Sequence, residues 1–280
     1  MRIKQILPTH GLCNLSVKIP GFWDSLKRFL SLPIVNWEGL GTWLGHLISP
    51  FLALPSSSRY EPSCEPSGFP FLRMVYSYLL TLLQAYPLDP VPWQRWRRDQ
   101  GAANLSNLKF QGLVLPDIDL SDLHLVGSGW WGTDLRGANL QRGNLMGADL
   151  RSVNLKGADL RWANLIGANL RGANLTGADL TQAQLQRCNL SEVQGVEALF
   201  QEANLHGANL SEGNWVNASF YKADLTETIA RQGVFSAVEA YGSQWCQADL
   251  SYSDFRWAHL RQANFHGAIL TATQGLDKNR

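Results

Sequence analysis

The sequence is short of the features that announce chemistry. Its four cysteines in 280 residues, Cys13, Cys64, Cys188 and Cys246, fall at no paired or zinc-ligand spacing. That excludes a disulfide framework and a zinc module, and it points to a reducing compartment. No excess charge of either sign is present: 24 basic against 23 acidic residues leave a formal net charge of +1. The first hundred residues carry ten basic and six acidic side chains (+4), the remainder fourteen and seventeen (−3). Neither balance gives the strongly basic face of a nucleic-acid binder. Long apolar runs are missing too. Segment 71–86 holds sixteen residues with Arg73 and Gln84 inside, short of the ~20 needed to cross a bilayer. Segment 34–54 is long enough but contains Glu38 and His46. The first twelve residues lack the apolar core of a secretory signal. No nucleophile elbow, phosphate loop or metal-ligand cluster appears, and Gly39, Gly41 and Gly45 have the wrong spacing for a dinucleotide loop. The reading is therefore a protein that is no enzyme and needs no cofactor or metal.

What is present is a period of five. Of the 34 positions at multiples of five from Leu105 to Leu270, 31 carry Leu, Phe or Trp; Gly195, Ala230 and Ala240 are the exceptions. Two residues before each centre the side chain is Ala, Gly, Ser, Thr or Cys in 27 of the 34, and one before it is Asn or Asp in 20. Five is neither the helical nor the strand period. A fixed self-similar unit instead marks a solenoid, in which each repeat buries its apolar residue against its neighbours.

Runs such as Ala158-Asp159-Leu160-Arg161-Trp162-Ala163-Asn164-Leu165 resemble the pentapeptide-repeat family over residues 103–272. The resemblance implies an all-β solenoid: a right-handed quadrilateral β-helix with one unit per side and four per coil. The residues support that reading. If every five-residue step turns the chain by a quarter, each centre points inward, the small residue lies near the corner, and the other three positions face water. Thirty-four units at four per coil give 8.5 coils, a rod on the order of 40 Å long at the ~4.8 Å spacing of paired strands. Residues twenty apart then stack. Gly195 falls under Trp215 and Ala240 over Phe220, so the exceptions read as small residues that offset large neighbours in a close-packed interior. Leu108, Leu113, Ile118 and Leu123 fill the small position through one coil, which should be wider and should close the lower end.

The organisation expected is an aromatic and apolar module over 1–54, a Ser/Pro linker over 55–70, a capping helix and lead-in over 71–102, the solenoid over 103–272 and a polar tail over 273–280. Segment 71–86 is the capping helix, of the kind a solenoid end requires, and Trp93 to Asp99 lead into the first coil.

The candidate binding surface lies among outward positions. Val126, Met146 and Ile166 form one column on successive coils, Trp162 lies at the neighbouring corner, and Trp131 flanks the column on the next side. A contiguous apolar group on a rod marks a docking surface. Arg136, Arg142, Arg151, Lys156, Arg161 and Arg171 occupy the other three sides of these coils, whereas Glu192, Glu197, Glu202, Glu212 and Glu227 follow further along. With Arg151 and Arg171 at its margin, the column would meet a protein partner, and the uncovered last coil invites a second copy of the chain. The leading reading is a non-catalytic scaffold or assembly protein. It would be cytoplasmic or held peripherally at a membrane, and a cyanobacterial thylakoid or photosynthetic complex would suit it. Two alternatives stand beside it. Fluoroquinolone-resistance members of the family mimic DNA and occupy a topoisomerase, which requires a more acidic rod than this one. An enzyme would have to use Cys246 and His266, which the register places one coil apart but with no third group to orient the imidazole.

Overall fold

The structure is a computed structural model, and it describes residues 79, 80, 82–86, 88, 90–100 and 103–276. From Asn104 to Gln274 the chain repeats one five-residue conformation. The residue before each centre forms a parallel bridge to the residue twenty positions on, from Asn104–His124 to Asp254–Gln274. Four bridges per twenty residues make a four-sided coil. We number its sides by their centres: side one Leu105, Leu125 and onward to Phe265; side two Phe110 to Leu270; side three Leu115 to Phe255; side four Leu120 to Leu260.

Hydrogen bonding explains the unit. In the repeat centred on Leu145, Asn144 donates its N–H to Leu123 O at 2.9 Å, and Leu145 donates to Asn164 O at 2.7 Å. Gly147 donates to Ile166 O at 3.0 Å, and Ala148 closes a turn onto Leu145 O at 3.0 Å. The fifth N–H, of Met146, goes to Asn144 Oδ1 at 3.3 Å. Every backbone donor of the unit thus has a partner. That fifth bond recurs from Asn104 to Asn264. It explains the Asn/Asp preference, because a short side chain bearing an oxygen can bond the N–H two residues on. The position expected to face water freely is therefore folded back and half-buried. Because turns interrupt every unit, pairing takes the form of single bridges rather than extended strands among the described residues.

The last residue of each unit has positive φ, such as +65° at Gly147, +58° at Trp162 and +60° at Glu192, while the residue before it does not. That is the pattern of a turn with its third residue left-handed, where glycine fits without strain. The turn bond ranges from 2.8 Å at Ala168 to 3.4 Å at Gly233 and Val238. Among the described repeats it is lost at Leu108, Leu113, Ile118, Leu123 and Val193, all bulky aliphatics. The first coil is opened in this way, as the sequence led us to expect.

The core is one column of side chains. Leu centres from Leu115 to Leu190 are fully enclosed, and an aromatic stretch follows. There Phe200 stacks on Phe220 with ring centroids 5.1 Å apart, and Phe235 stacks on Phe255 at 4.8 Å. A methyl group added to Gly195 would lie inside the van der Waals envelope of the Trp215 ring, so the missing side chain is a packing compensation. Two indoles buried within the coils find acceptors close by: Trp130 Nε1 donates to Ser128 Oγ at 2.7 Å and Trp245 Nε1 to Ser243 Oγ at 2.8 Å.

Below the first coil lies helix α1, Val91–Gln100, with Pro92 near its start and Arg97 and Arg98 in its last turn, as proline geometry and the helix dipole favour. The stretch read as a lead-in is thus helical, and it bonds directly to the first coil. Trp93 and Trp96 fall on one face three residues apart, stack at 4.9 Å and are buried. Trp93 Nε1 donates to Asp119 O at 3.0 Å, and Arg97 Nη2 to Ser121 O at 2.6 Å. Residues 79, 80 and 82–85 are also helical, with Leu79, Leu82 and Leu83 buried. The aromatic module and Ser/Pro linker expected over 1–54 and 55–70 lie outside the described residues. Among the described residues no helix is long and apolar enough to cross a membrane.

Candidate functional site

Side one carries the column. Gly127 N–H donates to Met146 O at 2.9 Å, and Gly147 N–H to Ile166 O at 3.0 Å, so Val126, Met146 and Ile166 sit on three consecutive paired turns. Met146 is 43% exposed, Trp131 53% and Trp162 45%, while Val126 and Ile166 are half-buried. On one flank the column is edged by the folded-back amides of Asn144 and Asn164. On the other it is edged by the corner glycines Gly127, Gly147 and Gly167. Side chains at Gly147 and Gly167 would meet nothing within 4 Å, so that flank is recessed. Gln186 continues the column past Ile166, and its Oε1 is buried without a partner among the described residues.

Trp162 is held in place. Its Nε1 donates to Gln182 Oε1 at 2.6 Å, Gln182 Nε2 donates to Glu202 Oε2 at 2.8 Å, and the Arg161 guanidinium lies 5.4 Å from the ring centroid. A large aromatic at positive φ is unfavourable by roughly 1–2 kcal/mol, and this one still exposes nearly half its surface. The same device recurs in Asp254-Phe255-Arg256-Trp257, where Arg256 lies 5.3 Å from the Trp257 ring.

The arginines do not form an unbalanced basic half. Arg136 pairs with Asp134 at 2.7 Å, Arg151 with Asp149 at 2.8 Å and Arg161 with Asp159 at 2.7 Å, each two residues earlier on its own side. Arg142 reaches Asp122 at 2.7 Å, and Arg171 reaches Glu192 at 2.6 Å. Hydrogen bonds from Arg136 and Arg151 hold the Asp134 and Asp149 carboxyls below their ordinary range, against the opposing effect of partial burial. The spacing Asp-x-Arg was visible in the sequence, although counting the arginines alone missed it. Side one differs from the other three: over 123–127, 143–147 and 163–167 it carries no Asp, Glu, Lys or Arg.

Cys246 and His266 occupy the same column further along, and Gln247 N–H donates to His266 O at 2.9 Å. No hydrogen bond joins the thiol to the imidazole among the described residues. Cys188 is buried, donates to Leu165 O at 2.7 Å, and has its pKa pushed up to about 12 by burial. It is a core residue. No group of His, Cys, Asp or Glu among the described residues could hold a metal ion.

A four-sided parallel coil that buries a large centre and a small corner residue in every five defines a solenoid of single-turn repeats. The family described as pentapeptide repeats matches in eight copies, at residues 117–151, 132–165, 154–191, 198–236 and 241–273. These segments cover more than half of the chain, which belongs to that family. Among solved structures, HetL, a pentapeptide repeat protein involved in heterocyst differentiation regulation from the cyanobacterium Nostoc sp. strain PCC 7120, is 26% identical. The match covers 66% of this chain and 93% of HetL, with a TM-score of 0.40. QnrB1, a plasmid-mediated fluoroquinolone resistance protein, is 24% identical over 62% of this chain and 78% of its own, also with a TM-score of 0.40. A pentapeptide repeat protein of the Arabidopsis thaliana thylakoid lumen is 27% identical over 45% of this chain and 66% of its own, with a TM-score of 0.29. Comparison with curated proteins returns no match.

Proposed function

We propose that this protein is a non-catalytic scaffold that docks a protein partner on side one, through Val126, Met146 and Ile166 flanked by Trp131 and Trp162, with Arg151 and Arg171 at the rim. The observation that carries the reading is an uncharged side with exposed Met146 between two half-exposed tryptophans, on coils whose other sides bear ion pairs. Charge depletion at the centre and enrichment in Trp, Met and Arg are what distinguish an interface from ordinary surface. The fixed indole of Trp162 adds preorganisation, since little side-chain freedom remains to be lost on binding.

The N-terminal module serves as a second docking element, and the assembly it joins is a membrane-associated, photosynthetic one, with the protein cytoplasmic or peripheral to the thylakoid. At the far end Leu260 and Phe265 are half-buried and Leu270 is 41% exposed, which suits a homodimer formed through the last coil. The DNA-mimic alternative is disfavoured because Asp122, Asp134, Asp149, Asp159, Glu192, Asp249 and Asp254 all have guanidinium partners. Among the described residues the Cys246/His266 pair has neither a mutual hydrogen bond nor a group that orients the imidazole, which disfavours the enzyme reading.

The test is co-purification of partners from the native cell with the unaltered chain, Trp162→Ala, Met146→Glu and the control Thr226→Glu, which lies further along the same column. Loss of one partner in the first two variants, with recovery in the control, is expected. Equal recovery in all four would remove side one from the account.

A further inference from the structure

We infer that the partner meets side one with an amphipathic α-helix laid along the rod axis, its apolar stripe on Val126, Met146 and Ile166 and an acidic flank toward Arg151 and Arg171. This rests on the docking reading above and names the shape and chemistry of what docks. The first argument is register. Consecutive coils are ~4.8 Å apart, and a helix repeats every ~5.4 Å. Across the two intervals from Val126 to Ile166 the mismatch is about 1.2 Å, small enough for side chains to absorb. Across seven intervals it would reach about 4 Å, nearly one whole step. A helix can therefore follow such a column for only a few coils, and the apolar stretch stops after three, between Ser106 and Gln186.

The second argument is room. A helix with its side chains is ~10 Å across and needs more than a one-residue ridge. The corner at Gly147 and Gly167, where an added Cβ would meet nothing within 4 Å, leaves open space beside the ridge. Elsewhere the same corner holds Asn107, Arg187, Glu227 or Gln247 at the same positive φ, so the fold does not demand glycine here.

The third argument is charge. Side one offers no ionic group to the middle of the contact. Just beyond the glycine corner, side two presents Arg151 and Arg171, which are half-exposed and engaged only through surface pairs with Asp149 and Glu192. Carboxylates on one flank of a helix can share those guanidiniums bidentately, and they fix which way round the helix lies.

The test uses synthetic probes. A peptide roughly four turns long, built on an Ala/Lys/Glu host with Leu at i, i+4 and i+7 and Glu along one flank, is titrated by fluorescence anisotropy against the full chain. A second peptide of the same composition has its stripe scrambled. Only the striped peptide should bind. Met146→Glu and Gly147→Gln should each weaken it by about tenfold or more, and Thr226→Glu should not. Thermal melts confirm that the variants fold. Equal binding of the scrambled peptide, no binding of either, or unchanged affinity in both variants overturns the helix. Loss of the native partner with Met146→Glu while the striped peptide fails to bind would overturn the helix alone and leave the docking surface standing.

Discussion

Restoring the repeat consensus at residue 195 should damage the protein. Gly195 is one of three centres without a large apolar side chain, and a consensus-guided design would replace it with Leu. The first atom of that side chain would overlap Cε3 and Cζ3 of Trp215 on the next coil. Trp215 cannot retreat: Phe200 lies 5.7 Å away on one side, Phe220 6.1 Å and Phe235 6.4 Å away on others, and the indole is buried. Overpacking of a close-packed core costs about 1–3 kcal/mol, and the overlap of two ring atoms puts this case near the upper end. For a domain of this size that corresponds to a fall in Tm of roughly 6–12 °C. Trp215→Leu alone leaves a void over Gly195 and should also destabilise, by about 3 kcal/mol. The double variant exchanges Gly and Trp for two leucines with a smaller net change in volume than either single change, so it should be less destabilised than the sum of the two. Thermal and urea unfolding of the four proteins gives the coupling between the two sites. A Gly195→Leu chain as stable as the native one, or a double variant carrying the sum of both losses, would refute the packing argument.

Leu160→Asp places an unpaired charge in the fully enclosed core and should abolish folding. Arg161→Asp gives up surface pairs with Asp159 and Asp179 and should change stability by no more than about 1 kcal/mol in the same unfolding assay. Asn164→Ala leaves the half-buried Ile166 N–H without its 3.1 Å acceptor and should cost about 0.5–1.5 kcal/mol. The carboxyls of Asp134, Asp149 and Asp254 are depressed chiefly by hydrogen bonds from Arg136, Arg151 and Arg256. Their folded pKa lies below the unfolded value, so the stability they contribute is complete above the ordinary carboxylate range and is lost as pH falls from there through the depressed folded pKa. Replacing all three by Asn keeps the backbone-accepting oxygen but removes the titration, and should flatten the fall of Tm below about pH 4.

Much of the coil could be read from the sequence because one large apolar side chain recurs in every five: Leu105 to Leu270 fixed the register, the inward face and the stacking of residues twenty apart. Gly195 could be understood for the same reason, since its neighbour is known once the coil length is known. The purpose of Asn and Asp before each centre could not, because a frequency does not say which N–H a side-chain oxygen will reach. Asn144 and Asn164 had to be seen folded back on Met146 and Ile166. At the candidate site the column of Val126, Met146 and Ile166 followed from periodicity alone. The ion pairing of Arg151 and Arg161 did not, because counting charge by region separates each arginine from the aspartate two residues earlier. Helix α1 escaped notice because Trp93 and Trp96 lie in a segment whose only strong local signals are prolines and charge.

The central claim is that one side of the rod is the docking side, and thiol protection tests it most directly. Met146, Arg151, Lys156 and Arg161 occupy equivalent outward positions on the four sides of a single coil. Each is changed in turn to Cys, and its labelling rate is followed by mass spectrometry with and without the co-purified partner. The account predicts strong protection of Met146→Cys, partial protection of Arg151→Cys and none of Lys156→Cys on the opposite side. Protection of Lys156→Cys with Met146→Cys still freely labelled would contradict it.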